Sequence, residues 1–315
     1  MYEGQTFSTG GANSDYNKDL YRIQLATLVQ KDSDGNYTEV FEVLQGGEIS
    51  YATKEKYDGV WAPDFIGGTH GDENIENGEI HMYLDGVELD LTTEDTYTGT
   101  HFEFKQTTLI DRHNTPDVQI MRHTQHMLLD TNGLRNNQSV EFLETVRLAL
   151  TENYLQMCTF NRENPALDEA ERELYENFLI DTVKFYDANG NVRYVYDEES
   201  DFVGTSDKIL GTSNGYSKTY EHPNGERTER LDVTNRYVEY IGNNSGLYGF
   251  VGFVVSDGSV KPSNVKIQVR QSQGDNKWYA SFETYSSDNG TVPEGEVWNI
   301  SDYYYIDYVK PVVAE

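Results

Sequence analysis

The sequence has a single cysteine, Cys158, among its 315 residues, so the chain can form no intrachain disulfide. This excludes a small secreted scaffold held together by disulfide bonds. Cys158 follows Tyr154 and Met157 in a largely apolar stretch. That setting is typical of a small core residue and does not indicate a nucleophile.

Basic residues are also scarce. Lysine and arginine total 24 against 54 aspartates and glutamates, which gives a formal net charge of −30. Proteins that bind nucleic acid present a basic face to the phosphates, and anionic membrane surfaces attract basic segments. We therefore expect no nucleic-acid partner and no attachment to an anionic membrane. Two interpretations of the charge stay open: solubility alone, or a surface suited to a salty or calcium-bearing medium.

Long apolar runs are missing from the sequence. No segment approaches the length of a membrane span, so we expect no membrane insertion. Residues 1–21 have neither the basic start nor the apolar core of a signal peptide. The expected protein is cytoplasmic during synthesis, or leaves the cell by a route other than ordinary secretion.

Tyrosine, with 24 residues, and glycine, with 27, are abundant. Together with many Thr and Val residues, this composition favours sheets and turns. Alternating apolar residues predict roughly a dozen hairpin-linked strands. One helix is predicted at residues 164–177, where Pro165 stands near the start of an amphipathic segment. The predicted fold class is therefore all-β, a large antiparallel β-sandwich with one short helix.

No linker marks a firm domain boundary in the sequence. We assign residues 1–60 to a lead-in and first strands that belong to the same sandwich, and residues 61–315 to the main β-sandwich domain. Residues 139–160 carry apolar side chains on one parity, as a single long strand requires. A helical period also fits part of this segment, but its Thr and Val content favours the strand.

The stretch from Trp61 to Leu91 organises the rest of the interpretation. It contains a glycine-rich loop with the sequence GGTHGDE, residues 67–73, followed by apolar residues that alternate on both sides of Asp85-Gly86. An Asp-Gly pair supplies the positive φ angles of a two-residue hairpin turn. We therefore expect the glycine-rich loop to lead directly into antiparallel sheet.

The loop holds His70, Asp72 and Glu73, the densest group of chemically capable residues in the sequence. An imidazole and a carboxylate at this spacing can face one metal ion if the loop turns back on itself. They can instead form an acid/base couple or bind sugar hydroxyls. The structural alternative is that His70 and Asp72 satisfy backbone amides of a tight glycine turn.

A second pair of histidines, His123 and His126, lies three residues apart. On a helix the two would share a face and look like zinc ligands, whereas on a strand they point to opposite faces. Val118, Ile120 and Leu128 share the parity of His126. We therefore predict a strand with His126 on the inner face, towards the His70 loop, and His123 facing away.

The long segment that follows ends at Asn161 and Arg162, after Tyr154. The planar fork of an arginine can clamp a carboxylate. The alternative for Arg162 is an ion pair with one of the many acidic residues of the chain.

The segment from His70 to Glu73 resembles the zinc carboxypeptidase motif, a histidine separated by two residues from a glutamate. The resemblance implies a zinc metallocarboxypeptidase-like hydrolase built on His70 and Glu73. The family's motif ends a buried parallel strand and opens a helix, whereas here a hairpin follows. No third histidine ligand stands at a fitting place, since His222 lies in a polar turn. The metal content is therefore left open, and no cofactor is assigned.

A broader resemblance runs from about Asp64 to the C-terminus. The layout resembles β-rich domains of bacteriophage tail and tail-fibre proteins, which are similar in kind to the super-sandwich of galactose-mutarotase-like and polysaccharide-lyase proteins. The pieces that carry the resemblance are FIGGTHGDE at 65–73, DTNG at 130–133, YLQMCTFNR at 154–162, NKWY at 276–279 and GEVW at 295–298.

This resemblance implies a virion-associated protein that contacts a surface carbohydrate. It implies a place in the virion or outside the cell, with further copies of the chain or other tail proteins as partners. Lyase-type acid/base chemistry would then fall to His70, His126, Tyr154 and Arg162. Substrate binding would fall to Asp72, Glu73 and Asn161. A purely structural tail component, whose loop only shapes a turn, is the non-enzymatic alternative.

Replacement of His70 by alanine distinguishes a role of this residue in a functional site from a role in stabilising the glycine turn. If His70 serves a site, H70A loses ligand binding or turnover and keeps its melting temperature. If His70 braces the glycine turn, the free energy of unfolding falls by about 1–3 kcal/mol, the cost of an unsatisfied buried partner. Thermal unfolding and a ligand assay on the same variant check this. A large loss of stability with unchanged ligand binding and turnover would contradict a functional role of His70.

Overall fold

The computed structural model describes residues 2–8, 19–31, 33–45, 51–92, 95–130, 133–161, 182–186, 192–197, 216–219, 236–242, 248–254, 265–272, 277–284 and 290–307. Nearly all of these residues lie in strands. The helical structure found among them is one three-residue 3-10 turn, Gly68–His70. The helix predicted at 164–177 lies outside the described residues. No helix in the described ranges is long and apolar enough to cross a membrane.

The structure describes twenty strands. They are β1 Tyr2–Ser8, β2 Asp19–Lys31, β3 Tyr37–Gln45, β4 Ala52–Tyr57, β5 Val60–Trp61, β6 Glu73–Leu84, β7 Val87–Glu88, β8 Phe102–Arg112, β9 Thr115–Asp130, β10 Gly133–Phe142, β11 Val146–Asn161, β12 Thr182–Tyr186, β13 Val192–Asp197, β14 Tyr216–Thr219, β15 Arg236–Ile241, β16 Tyr248–Val254, β17 Val265–Ser272, β18 Lys277–Thr284, β19 Thr291–Val292 and β20 Val297–Asp307.

These strands form three sheets whose pairings are all antiparallel. One sheet has ten strands in the order β13-β12-β15-β16-β20-β10-β9-β8-β6-β7. A second has seven, in the order β14-β17-β18-β11-β4-β5 with β19 paired to β11, and β1, β2 and β3 form the third. Buried side chains lie on β4 and β11 of the seven-stranded sheet and on β8, β9, β10 and β20 of the ten-stranded sheet. The predicted all-β, antiparallel sandwich is confirmed.

The inner face of the ten-stranded sheet follows a period of two residues. In β9, Met121, His123, Gln125 and Met127 are fully buried, while the intervening residues are exposed or half-buried. Successive side chains of a strand point to opposite faces, so this alternation marks one face turned to the core. The core is mixed, because polar residues such as Gln138 are buried beside apolar ones.

The predicted hairpin at Asp85-Gly86 is confirmed. Both residues have positive φ, 50° and 81°, and they join β6 to β7, where Leu84 pairs with Val87. Positive φ at both central positions is the geometry whose twist matches that of the flanking strands.

The single long strand predicted over 139–160 is wrong, because two strands occupy that segment. Strand β10 ends at Phe142 in the ten-stranded sheet, and β11 begins at Val146 in the seven-stranded sheet. The connection contains three residues, so Phe142 and Val146 keep the same parity. The apolar alternation therefore continues across a turn that carries the chain from one sheet to the other.

The third sheet, β1 to β3, packs against strands of both large sheets. Strand β2 contacts β6 and β3 contacts β11. The backbone N–H of Tyr21 donates to the Gln106 side chain at 3.3 Å. The N-terminal strands therefore contact both large sheets.

Two glycines with positive φ test how closely the sheet is packed. A Cβ at Gly133 would lie 2.6 Å from the Tyr304 carbonyl oxygen, whereas a Cβ at Gly86 would meet nothing within 4 Å. We expect G86A to cost about 1–2 kcal/mol from its left-handed backbone and G133A a further 1–3 kcal/mol or so from overpacking. Urea unfolding of both variants checks this, and equal losses would contradict the close approach of β20.

Candidate functional site

The glycine-rich loop, residues 67–73, closes on itself. The N–H of Gly67 donates to the carbonyl of Gly71 at 2.9 Å, and the φ angles of Gly67, Gly68 and Gly71 are 88°, 57° and 90°. At Gly67 a side chain is excluded as well, because a Cβ would lie 2.9 Å from the Tyr51 carbonyl oxygen. The glycines of the GGTHGDE sequence are thus required by the backbone path.

Glu73 holds this loop from inside the protein. Its side chain is buried, and its carboxylate accepts the backbone N–H of Gly68 at 2.5 Å. The other carboxylate oxygen accepts hydrogen bonds from the Thr108 hydroxyl and from His123 Nδ1, the latter at 3.0 Å. Loop and sheet therefore share one buried carboxylate.

The hydrogen bonds continue from His123 across the inner face of the ten-stranded sheet. His123 Nε2 lies 3.0 Å from the side-chain amide oxygen of Gln138, Oε1, and Gln138 Nε2 donates to the Asp302 carboxylate at 3.1 Å. Asn136 Nδ2 donates to the same Asp302 oxygen at 3.3 Å. Both ring nitrogens of His123 thus face side-chain oxygens, one of Glu73 and one of Gln138.

The pKa of Glu73 reflects this setting. Burial would raise the pKa, but the hydrogen bond and charge of His123, with the donors Thr108 and Gly68, hold it below its ordinary value. The ionised carboxylate is therefore the form that the fold stabilises.

Asp72 braces the other end of the loop. It is fully buried with a positive φ of 55°, and its carboxylate accepts from the Asn114 N–H at 3.2 Å and lies 3.1 Å from His113 Nδ1. Its carbonyl accepts the N–H of Asp111 at 2.7 Å. The substrate contact expected of Asp72 and Glu73 does not fit this burial, because both carboxylates are turned inward and occupied by protein donors.

His70, in contrast, lies at the surface. Its side chain is 30% exposed, with Nδ1 at 3.6 Å from an Asp64 carboxylate oxygen. Its ring lies 4.9 Å from that of Phe65, centroid to centroid. Of the three predicted loop residues, His70 is the one that can meet a ligand.

Aromatic rings and cations lie on β4, on β5, at the start of β11 and at Phe65, the ring that His70 contacts. Lys54 Nζ lies 5.6 Å from the Phe65 ring centroid, Lys56 Nζ lies 5.2 Å from that of Trp61, and the Arg147 guanidinium lies 6.0 Å from that of Trp61. These distances are in the range of cation–π contacts. We call this area the basic-aromatic surface, formed by Lys54, Lys56, Trp61, Phe65, His70 and Arg147.

The sequence interpretation missed most of this surface. Lys54 and Lys56 are separated by one residue and therefore share a face of β4, and Trp61 is the cross-strand partner of Lys56. The alternation of lysines in the segment TKEKY, residues 53–57, was the available signal. Nothing in the sequence showed that Arg147, more than eighty residues later, would reach the same tryptophan.

The prediction that His126 faces the inner side of β9 and His123 faces away is wrong. The two histidines do face opposite sides of β9, but His123 is the buried one, and His126 is 34% exposed with Nε2 at 2.8 Å from Glu103. The reason is a register shift in the β8–β9 ladder, where Ile110 pairs with Met121 but Asp111 pairs with Gln119. Ile120 is the extra residue, so its parity does not predict the later side chains.

The remaining predicted residues lie in or beyond β11. Tyr154 pairs with Glu283 and Asn161 with Lys277 of β18, and their side chains lie outside what the structure describes, as does Arg162. His126 lies on the opposite face of β9 from the buried His123 and pairs with Glu103, so the predicted inner-face position of His126 is wrong, and the cluster of His70, His126, Tyr154 and Arg162 stays a prediction. The roles of Tyr154, Asn161 and Arg162 stay predictions.

The zinc prediction requires His70 and Glu73 to converge on one ion. The Glu73 carboxylate instead points to Thr108 and His123, while His70 Nδ1 faces Asp64. Within the described ranges, no group of three or more His, Cys, Asp or Glu side chains could hold a metal ion. The loop geometry therefore does not fit a zinc site.

Comparison with known proteins gives structural likenesses at low identity. No family model matches the chain, and no curated protein matches it. Similar solved structures include a putative aldose 1-epimerase from Escherichia coli K12, at 8% identity and a TM-score of 0.44 over 98% of this chain and 100% of that one. A galactose mutarotase-like protein from Clostridium acetobutylicum follows at 11% identity and a TM-score of 0.37, with 98% of each chain covered.

A further likeness is to the GH36 α-galactosidase AgaA from Geobacillus stearothermophilus in complex with raffinose. Identity is 12%, the TM-score is 0.43, and the match covers 96% of this chain but 39% of that one. The chain thus spans about two fifths of the α-galactosidase. At TM-scores below 0.5 these likenesses carry no argument about function, and the sandwich rests on the described strands.

The Glu73 contacts predict a pH dependence of stability. A lowered folded-state pKa means that the ionised carboxylate stabilises the fold above its ordinary pKa of 4.5, and that this contribution is lost as the pH falls through the lowered value. We expect E73Q to cost about 3 kcal/mol at pH 7 and to weaken the fall in stability below pH 4.5. Urea unfolding from pH 7 to 3 checks this.

The matched control is E79Q, on the same strand but exposed. It should keep the wild-type stability within about 0.5 kcal/mol at pH 7, as surface substitutions usually do. An E73Q curve that runs parallel to the wild-type curve below pH 4.5 would contradict the role given to Glu73.

Proposed function

We propose that this chain is a carbohydrate-contacting β-sandwich protein whose contact area is the basic-aromatic surface. The observation that supports this most is the environment of Trp61. Its ring is 40% exposed and has Lys56 and Arg147 within cation–π distance. Tyr57 and Val60 of the same hairpin are also exposed, and exposed apolar patches rimmed by polar residues mark interaction sites.

The chemistry of the surface suits a sugar. Sugar rings have apolar C–H faces that pack on aromatic rings, and hydroxyl rims that need hydrogen-bond partners placed around the ring. Trp61 and Phe65 offer the aromatic faces, and His70 with Asp64 offers a donor and an acceptor beside Phe65. The buried bonds of Glu73 and Asp72 hold this loop in place, which lowers the entropy lost on binding.

The proposal is one of contact, not cleavage. Lyase-type acid/base chemistry was predicted for one cleft in which an imidazole moves a proton and the Tyr154 phenol returns it, with His126 close to His70. His126 instead pairs with Glu103 at the solvent-facing side of β9. The described residues therefore leave His70 and its neighbour Asp64 as the single exposed imidazole–carboxylate pair of the loop.

The location of the protein remains a prediction of the resemblance. A place in a bacteriophage tail or tail fibre, or outside the cell, accords with contact to a surface glycan. So do further copies of the chain or other tail proteins as partners. The rival interpretation, a structural component that binds no sugar, makes the opposite prediction for Trp61.

Removal of the Trp61 ring tests the proposal. On an array of neutral, uronate-containing, sialylated and sulfated glycans, we expect the wild-type protein to be retained and W61A to lose at least about tenfold in affinity, since burial of a large apolar side chain is worth about 1.5–3 kcal/mol. Because the ring is exposed, the melting temperature should hold.

The matched control is Y97A, in the loop after β7, where Tyr97 is 43% exposed. It removes an aromatic ring of similar exposure outside the basic-aromatic surface and should keep full affinity. Equal loss in W61A and Y97A, or retention unaffected by W61A, would contradict the assignment of the surface.

A further inference from the structure

The basic-aromatic surface concentrates positive charge in an acidic protein. The chain has a formal net charge of −30 and 24 lysines and arginines in total, yet Lys54, Lys56 and Arg147 gather around two aromatic rings. We infer that the ligand of this surface is an anionic glycan, whose carboxylate or sulfate groups meet these three cations. The inference rests on the proposed function and adds the charge of the ligand to it.

The strand register places the three cations side by side. Lys54 and Lys56 lie on one face of β4, and Leu148 of β11 pairs with Glu55 between them. The neighbouring Arg147 therefore lies beside Lys56, where its guanidinium approaches Trp61. This guanidinium is exposed, and its planar fork matches the two oxygens of a carboxylate or the oxygens of a sulfate.

The spacing indicates two neighbouring binding positions. Residues two apart on a strand are roughly 7 Å apart along it, so the Lys54–Phe65 pair and the Lys56–Trp61 pair follow one another along β4. Each pair joins an aromatic ring to a cation at 5.2–5.6 Å. This repeat suits successive units of an extended, charged sugar chain, one ring face and one acid group for each position.

A neutral sugar can accept hydrogen bonds from these cations but carries no charge that matches theirs. A nucleic acid would use the rings and the cations, but its regular phosphates favour a protein with a basic face, and the rest of this chain is strongly acidic. That acidity repels a long polyanion beyond the surface and limits the contact to a short segment. The observations thus favour a short anionic stretch of glycan.

The test pairs each retained acidic glycan with a form whose acid is removed, by methyl esterification of a uronate or sialate or by desulfation. Isothermal titration with the full chain measures both affinities. We expect the uncharged form to bind at least about tenfold more weakly, since hydrogen bonds to charged groups are worth about 1.5–3 kcal/mol. Raising NaCl from 50 to 500 mM should weaken the acidic form alone, because salt screens exposed charges.

Three variants test the residues: K54Q, K56Q and R147Q, each of which keeps a polar side chain and removes the charge. We expect each to weaken binding of the acidic form and to leave the uncharged form unchanged. The matched control is R135Q, an exposed arginine on β10 of the other large sheet, which should leave both affinities unchanged. Circular dichroism melting confirms that each variant is folded.

The outcomes separate the inference from the proposed function. Retention of neutral glycans that W61A abolishes and R147Q does not affect would overturn the anionic ligand and keep the carbohydrate surface. If no glycan is retained, or if W61A retains glycans as well as the wild type does, both the anionic-ligand inference and the proposed function are overturned. Binding of a single-stranded oligonucleotide that K56Q and R147Q weaken, with no glycan retained, would assign the surface to nucleic acid and also overturn both.

Discussion

The buried contact between the Glu73 carboxylate and the His123 ring is the interaction on which the loop and the sheet both depend. It joins the end of the glycine-rich loop to the inner face of the ten-stranded sheet, and the same carboxylate binds the Gly68 N–H and the Thr108 hydroxyl. A buried carboxylate without such partners would be strongly destabilising. The sequence from Gly67 to Glu73 is therefore constrained from inside.

Such a pair does more for geometry than for net stability. The desolvation of a buried carboxylate and its polar partner offsets much of their attraction, so a buried pair of this kind is weak evidence for added stability. Glu73 and His123 nevertheless restrict where the loop can lie, because moving the loop would leave a buried carboxylate without donors. The result is a loop surface at His70 that is held in place by contacts beneath it.

The acidic side chains and the imidazole of the loop therefore face opposite directions. Asp72 and Glu73 face inward, where protein donors satisfy them, while His70 faces outward beside Asp64 and Phe65. The reversal of direction follows from the glycines with positive φ, which let the backbone turn within a few residues. Of the three reactive side chains in this short segment, only His70 is therefore accessible to a ligand.

Local sequence patterns correctly predicted the features that depend on neighbouring residues alone. The Asp85-Gly86 hairpin follows from turn geometry, and the strand-rich architecture from alternation and composition. The inner side of β9 could not be predicted, since the register shift at Ile120 reverses the parity on which the prediction rested. The turn after Phe142 was hidden for a related reason, because its three residues preserve the alternation.

The site was harder to predict because it depends on distant partners. The bond between Glu73 and His123 spans fifty residues, and the approach of Arg147 to Trp61 depends on the pairing of β4 with β11. Neither pairing has a local signature in the sequence. Exposure is also a property of the folded chain, so the sequence could not distinguish the accessible His70 from the buried Glu73.

A double-mutant cycle between Glu73 and His123 measures the central contact most directly. The free energies of unfolding of wild type, E73Q, H123Q and the double variant, taken at pH 7, give the coupling between the two side chains. If the pair braces the loop as described, the coupling is about 1–3 kcal/mol in favour of the native pair, as for residues in one buried network. Additive effects within about 0.5 kcal/mol would contradict the account.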